Sequence, residues 1–297
     1  MGSPSEVPED PSRCLVAPQN GGMPEGDTIF RTAAVLRSVL VGKRVVAARA
    51  RPGPGLRRVP DLSKVVGATV TSVAARGKHL LIDFDNGLTL RSHLRMRGSW
   101  HRYRPGEPWR LPQSQANAVL ETAGAVAVAF NTPTLELLTD AVMARDRSLR
   151  ELGPDLLGVE FDVDEAVLRL RQRDREQLGN ALLDQRAVAG IGNVVKSETA
   201  FIERMDPWAL VGDFSDDELQ GAMRTARRLL QANTRGGARV TTGNPRRGQA
   251  LWAYGRAGRP CRRCGTRIET RRQGEVARST YWCPRCQPPR VPTPRSG

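Results

Sequence analysis

Apolar residues at Ile29, Ala33, Leu36 and Leu40 recur at spacings of four, three and four, which is the period of one helix face. Asp27 stands where a cap belongs and Gly42 lies just past the end, so one amphipathic helix is predicted to open the folded part. The period then shortens to that of strands. β-rich runs are predicted at 44–48, 69–74, 80–84 and 88–93, the last two joined by Asp85-Asn86-Gly87 with its Asn-Gly hairpin signal. A further pair, 118–122 and 125–130, flanks Ala123-Gly124, and the whole reads as an antiparallel sheet folded into a sandwich or barrel. After about residue 150 the pattern turns helical, with helices predicted at 164–173, 175–185, 193–203 and 216–232, the last behind a Ser215…Glu218 capping box. Residues 234–250 are rich in glycine and polar side chains and predict a linker, while residues 1–22, dominated by Pro, Gly and Ser, predict a disordered extension.

Charge changes this picture more than composition does. Of the 297 residues 39% are hydrophobic, enough for one or two packed cores, and a chain of this length usually forms about two domains. The longest apolar runs are far shorter than the roughly 18 residues that span a bilayer, and residues 1–22 do not read as a signal peptide. The expectation is a cytoplasmic protein with reduced cysteines, off the membrane. Against 31 Asp+Glu stand 46 Lys+Arg, a formal charge of +15 that calls for a polyanionic partner. Arginine supplies all but four of the cations, the lysines being Lys43, Lys64, Lys78 and Lys196, so any essential lysine is one of these.

Cys261-Arg-Arg-Cys264 and Cys283-Pro-Arg-Cys286 form two C-x2-C knuckles separated by 18 residues. That spacing predicts one tetrahedral Zn²⁺ on Cys261, Cys264, Cys283 and Cys286, with a β-hairpin closing the site. Four sulfur ligands leave no position for water, so the ion is expected to be structural. Cys14, alone in the extension, is expected to be incidental. Between the knuckles, Arg278 precedes Ser-Thr-Tyr-Trp, and Gln273-Gly274-Glu275 offers a turn; Arg278 either reaches a phosphate or base edge or is one of many solvated arginines. Lys78, after Arg76-Gly77, either pairs with phosphate or is a solvated strand-end lysine. His93-Leu94-Arg95-Met96-Arg97-Gly98 ends a strand, and Met96 is either a wedge for a base stack or packs back on the core. Val188-Ala-Gly-Ile-Gly-Asn193 reads as a tight turn into a helix, whose free N–H groups with the Asn193 amide form either a phosphate site or a connection without a ligand.

Together these segments resemble the family of formamidopyrimidine-DNA glycosylase and endonuclease VIII. Met23-Pro24-Glu25-Gly26-Asp27 is similar to its amino terminus after loss of methionine, Arg76-Gly77-Lys78 to its lysine segment, Leu183-Asp184-Gln185…Gly190-Ile191-Gly192-Asn193 to its helix-two-turn-helix, and residues 278–287 to its zinc finger. The resemblance implies an α+β multidomain fold: an N-terminal antiparallel β-sandwich with flanking helices (23–150), a helical helix-two-turn-helix domain (151–243), a linker with a four-cysteine zinc-finger β-hairpin (244–290), and a tail (291–297). Pro-Glu-Gly resembles the endonuclease VIII branch, and residues 130–133 lack the Arg-Arg-Phe-Gly loop of the purine-directed branch, which implies oxidised pyrimidines as substrates.

The resemblance also implies roles. Pro24 is the nucleophile, since a terminal secondary amine is far less basic than lysine and is partly unprotonated near neutrality. Glu25 is the general acid. Lys78 binds the target phosphates and assists β-elimination, and Arg278 does so for δ-elimination. Asn193 clamps the backbone, His93 contacts DNA, and Arg95, Met96 and Arg97 fill the hole left by the extruded base. The implied partner is damaged DNA, bound by a monomer without a small-molecule cofactor. As numbered, Pro24 follows Met23 and the 22 residues before it, and its nitrogen is then an amide. The expectation is that translation starts at Met23, which is then trimmed, or that a protease exposes Pro24. An oxidised-purine glycosylase, or a DNA-binding protein without catalysis, are the competing readings.

Overall fold

The computed structural model describes residues 24–53, 56 and 58–290; the predicted extension with Cys14 and the tail lie outside the described residues. The chain divides into two units that are not consecutive in sequence. One comprises Thr32–Ala74 and Leu81–Asp140, and the other gathers residues 24–31, Ala75–Leu80 and everything from 141 onward. Two short pieces of the amino-terminal half therefore belong to the second unit.

The first helix, α1 (Gly26–Leu40), buries Ile29, Ala33, Leu36 and Leu40, the stripe its sequence spells out. It starts at Gly26, and the Thr28 and Ile29 amides donate to the Glu25 carbonyl. Asp27 thus lies inside the first turn, which corrects its reading as the cap; its carboxylate is engaged by an arginine described below. Strands β1 (Val45–Ala50), β2 (Val70–Arg76), β3 (His79–Phe84), β4 (Leu88–His93), β5 (Ser99–Tyr103), β6 (Ala116–Thr122), β7 (Val126–Phe130) and β8 (Thr134–Thr139) follow. They form two four-stranded sheets, ordered β1-β6-β7-β5 and β2-β3-β4-β8. The pairs β1–β6, β6–β7, β5–β7 and β4–β8 are antiparallel, with Val119 opposite Val128 and Leu90 opposite Leu137.

Strand β5 was not predicted, because its buried face carries polar groups. Ser99 and His101 are buried and satisfy each other at 3.0 Å, and the other ring nitrogen of His101 meets the Tyr103 hydroxyl at 3.0 Å. Tyr103, Val119, Val128 and Phe130 fill one core beside them. Burial, with the Arg110 charge adding to it, pushes the His101 pKa down to about 4, so the ring packs as a neutral group.

The second unit is helical: α2 (Asp140–Arg145), α3 (Arg147–Arg150), α4 (Val163–Arg171), α5 (Leu178–Ala181), α6 (Asn193–Ile202) and α7 (Asp216–Ala232). Helix α7 has the predicted capping box, with the Glu218 amide donating to the Ser215 hydroxyl at 3.2 Å and the Ser215 amide to the Glu218 carboxylate at 2.7 Å. The helix predicted over 175–185 shrinks to the four residues of α5. The Leu178 and Gly179 amides donate out of the helix to the carbonyls of Ala209 and Pro207, and Gln177 supplies no side-chain cap. Leu170, Leu182, Ile191, Val195, Leu219 and Leu230 lie in the core of this unit. The hairpin of β9 (Glu269–Gln273) and β10 (Arg278–Trp282) closes the described chain, with Arg278 paired to Gln273 across its turn. Among the described residues no helix is long and apolar enough to cross a membrane.

Candidate active site

Five of the predicted residues meet in the second unit. A cavity of about 680 Å³ is lined by Pro24, Lys78, Asn193 and Arg278 together with Asp184, Arg186, Gln273 and Glu275. Glu25, beside Pro24, is fully buried. Its carboxylate accepts the amides of Val194 at 2.7 Å and Val195 at 3.2 Å, two of the orphan donors in the first turn of α6. The helix start predicted as a possible phosphate site is therefore occupied by an internal carboxylate, a correction with a clear cause. A carboxylate on a helix amino terminus satisfies the free N–H groups and the positive end of the helix dipole at once. Gly192 makes this possible, since a Cβ there would lie 2.3 Å from Glu25 Cδ and 2.5 Å from its Oε1.

The segment behind Glu25 is fixed by its backbone, the Gly26 amide donating to the Gly190 carbonyl at 2.9 Å. The turn that offers this carbonyl is itself braced by Gln185. Its side-chain amide donates to the carbonyls of Leu183 (2.9 Å) and Ile191 (3.0 Å), and its oxygen accepts the Gly190 amide (3.1 Å).

Lys78 sits at the tip between β2 and β3. Gly77 before it has φ +57°, a left-handed conformation that glycine takes at no steric cost, and its amide donates to Asp155 at 2.6 Å. Asp155 accepts the Leu157 amide with its other oxygen at 2.9 Å, so the lysine tip is tied to the turn at 155–157. Burial lowers the Lys78 pKa to about 8; the Glu25 carboxylate opposes this, and the Arg278 and Arg239 charges add to it.

Asn193 is buried at the start of α6 and donates from its side chain to the Ser279 carbonyl at 2.6 Å, which joins this helix to the strand carrying Arg278. One turn on, Lys196 is wholly buried and donates to the Thr280 hydroxyl at 2.6 Å, which donates to the Gln273 side-chain oxygen at 2.7 Å. Burial lowers the Lys196 pKa to about 7; Glu25 opposes the shift and Arg278 adds to it. Glu198 on the same helix accepts the amides of Trp252, Ala253 and Tyr254, each at 2.8 Å, and the Thr241 hydroxyl. Burial raises its pKa against those four donors.

His93 ends β4 in the other unit, and Arg95, Met96 and Arg97 follow on the loop from β4 to β5. The Arg95 amide donates to the His93 ring at 3.1 Å, and Arg95 takes φ +51°. Met96 is 57% exposed between two exposed arginines, so it does not pack back on a core.

The four cysteine sulfurs fall within 4.8 Å of one another, Cys261 to Cys286 at 3.9 Å and Cys264 to Cys283 at 3.5 Å. Tetrahedral zinc with bonds of about 2.3 Å sets its sulfurs about 3.8 Å apart. The set fits that ion and leaves it no open position, so Cys261, Cys264, Cys283 and Cys286 form a structural zinc site that braces the β9–β10 hairpin.

Two buried cations went unassigned in the sequence. Lys196 was one of only four lysines, yet the apolar period of its helix gave it no distinction. Arg239 falls in residues 234–250, expected to be a linker. That stretch holds no helix or strand, but the Arg239 guanidinium donates to Asp27 at 2.8 and 2.5 Å and stands 3.9 Å from Glu25.

Comparison with known proteins agrees with this geometry. Residues 23–134 match the formamidopyrimidine-DNA glycosylase N-terminal domain, residues 152–244 the H2TH domain of the same protein, and residues 258–289 the zinc finger found in FPG and IleRS. The chain is 44% identical over 280 residues to the "Probable endonuclease 8 2" of Streptomyces coelicolor, covering 93% of this chain and 97% of that one. It is also 44% identical to the "DNA-(apurinic or apyrimidinic site) lyase Nei2" of Mycolicibacterium smegmatis, over 89% and 99% of the two chains. A Lactococcus lactis formamidopyrimidine-DNA glycosylase, solved on DNA containing an abasic site, superposes with a TM-score of 0.75 at 21% identity, over 90% and 100% of the two chains.

Proposed function

Because the chain belongs to the formamidopyrimidine-DNA glycosylase and endonuclease 8 family, we propose that its cavity is the site of a DNA glycosylase and abasic-site lyase directed at oxidised pyrimidines, with Pro24 as nucleophile. The observation that carries the reading is the meeting of Pro24, Lys78, Asn193 and Arg278 around one cavity, with Glu25 buried beside the proline.

In this reading the damaged nucleotide is flipped out of the stack, and the unprotonated Pro24 amine attacks C1′. The bond from C1′ to the base breaks, and the base leaves with a proton. Glu25 gives or takes protons at the sugar and at the leaving base. Opening of the sugar leaves an iminium between Pro24 and C1′, which acidifies C2′. Loss of a C2′ proton expels the 3′ phosphate, and a second elimination expels the 5′ phosphate. Water then releases the sugar fragment and restores the amine. Lys78 with its lowered pKa both pairs with phosphate and exchanges a proton near neutrality. Arg278 and Asn193 hold phosphates. Zinc, when bound, shapes the hairpin and takes no step. Met96 between Arg95 and Arg97 suits a side chain that fills the gap in the base stack.

The pyrimidine preference rests on Pro24-Glu25-Gly26, on the residues present at 130–133, and on the relatives named endonuclease 8. Duplexes bearing thymine glycol or 5-hydroxyuracil should be cut faster than one bearing 8-oxoguanine, and the reverse order would move the chain to the purine-directed branch. The nucleophile has its own test. A chain beginning at Pro24 should be trapped on abasic DNA by borohydride, whereas one that keeps residues 1–23 should not. Equal trapping of an intact full-length chain would place the nucleophile elsewhere.

A further inference from the structure

We propose that Arg239 is a positioning residue of the lyase site, holding the segment from Pro24 to Asp27 through Asp27 and Glu25. The inference rests on the assignment of Pro24 and Glu25 made above.

The geometry is that of a clamp. Arg239 is 11% exposed, and Asp27 and Glu25 are 1% and 0% exposed. The guanidinium binds Asp27 with two nitrogens, Nε at 2.8 Å and Nη2 at 2.5 Å, and directs Nη1 toward Glu25 Oε1 at 3.9 Å. Nη2 also lies 3.4 Å from the Thr28 hydroxyl. One planar cation thus faces two buried carboxylates on either side of Gly26, immediately after the nucleophile. Lysine has no fixed fork and cannot reproduce both contacts. The cation is held in turn by its own chain. Asn233, at the end of α7, accepts the Val240 amide at 2.8 Å and donates to the Val240 carbonyl at 2.9 Å, and Thr241 is bound by Glu198.

Two physical consequences separate positioning from mere adhesion. Removing the guanidinium leaves the Asp27 carboxylate buried without its cation and Glu25 held by the α6 amides alone, so the segment between them loses the contact that fixes its place. Removing a positive charge also makes nearby amines easier to protonate. Arg239 is one of the charges that lowers the Lys78 pKa, so its loss moves proton-dependent steps to higher pH.

The experiment uses the zinc-loaded chain beginning at Pro24. Arg239→Gln, Arg239→Lys, Asp27→Asn and the Arg239→Gln/Asp27→Asn double variant are compared by borohydride trapping on preformed abasic sites at saturating DNA, from pH 6 to 9. Binding to a tetrahydrofuran analogue and thermal melting are measured alongside. Arg239→Gln should slow trapping at least tenfold while tetrahydrofuran binding changes less than threefold, and its pH for half-maximal trapping should rise. Arg239→Lys should recover part of the rate. The double variant should be no slower than Arg239→Gln alone, because the two residues act as one unit. Trapping per folded molecule equal to the parent, a loss confined to binding, or additive losses would overturn the proposal. Should Arg239→Gln fail to fold, Arg239→Lys carries the test through its rate and pH profile. A parent chain that is never trapped overturns the nucleophile assignment and this inference together, whereas a trapped parent with an equally trapped variant overturns only the inference.

Discussion

Gly192 decides where Glu25 can go. Its φ of −117° is open to any residue, so glycine is required here for space rather than for backbone freedom. A methyl group at this position overlaps the Glu25 carboxylate, which is walled in and cannot swing to solvent. Gly192→Ala should therefore remove both hydrogen bonds from α6, lower stability by about 2 kcal/mol or more, and reduce borohydride trapping far beyond the loss of folded protein. A variant that melts and traps like the parent would refute this account of the site. Lys196 permits a prediction of different form. Its folded-state pKa, about 7, lies below the ordinary value of 10.5. The penalty for burying the charge is thus complete below pH 7 and fades as pH rises, because the unfolded chain then binds more protons than the folded one. Lys78 acts in the same direction through about 8. The unfolding free energy from denaturant titration should climb between pH 7 and 9, by up to about 1.4 kcal/mol per pH unit for each such lysine. Lys196→Met should flatten the climb and raise stability near pH 6; an unchanged slope would show that the amine titrates elsewhere.

Helix α6 is the element on which the site is built. Within ten residues it presents amides to Glu25, Asn193 to the β10 backbone, Lys196 to Thr280, and Glu198 to the chain at 252–254. The hairpin it meets depends on metal. Chelation, or Cys264→Ser, should disorder β9 and β10, weaken DNA binding and leave the β-sheets folded, as followed by metal analysis, circular dichroism and a binding titration. Normal DNA binding without zinc would count against the hairpin as a phosphate clamp. At this scale the sequence was informative wherever one signal governs an element. The stripe of α1, the Ser215 box of α7, the Asn-Gly hairpin and the cysteine knuckles are all local, and each is found where it was expected. Other features were hidden, each for its own reason. Strand β5 buries polar residues that satisfy each other, the first amides of α5 are taken by carbonyls about thirty residues away, and Arg239 lies in a stretch whose composition suggests only a linker while its carboxylate partner Asp27 is 212 residues away. The cavity was legible as a set of motifs, while the Glu25–α6 contact needed two segments 169 residues apart to be brought together.

Over the whole molecule the excess charge of +15 makes any arginine a weak candidate until it is compared with another. If Arg278 holds a phosphate, Arg278→Ala should cost about 1–3 kcal/mol of DNA binding and lower the salt slope by about one. Arg145, exposed at the end of α2, is the control and should do neither. The Arg278 variant should also slow 5′-side cleavage more than base removal, read as the ratio of β- to β,δ-elimination product. Identical behaviour of the two variants would reduce the hairpin to a general basic surface.

The unit that holds the cavity is discontinuous, taking residues 24–31 and 75–80 from one end of the chain and the rest from the other. A ribosome delivers these pieces far apart in time. Two hundred residues separate Lys78 from Arg278, and at bacterial-scale rates of about 5–20 residues per second that gap lasts roughly 10–40 s. For more than half of it the nascent chain carries its proline and lysine without the helix that receives Glu25, and for all of it without the hairpin that brings Arg278. On the roles proposed for these residues, a site drawn from both ends of its chain gains its last member, Arg278, only as synthesis nears its end.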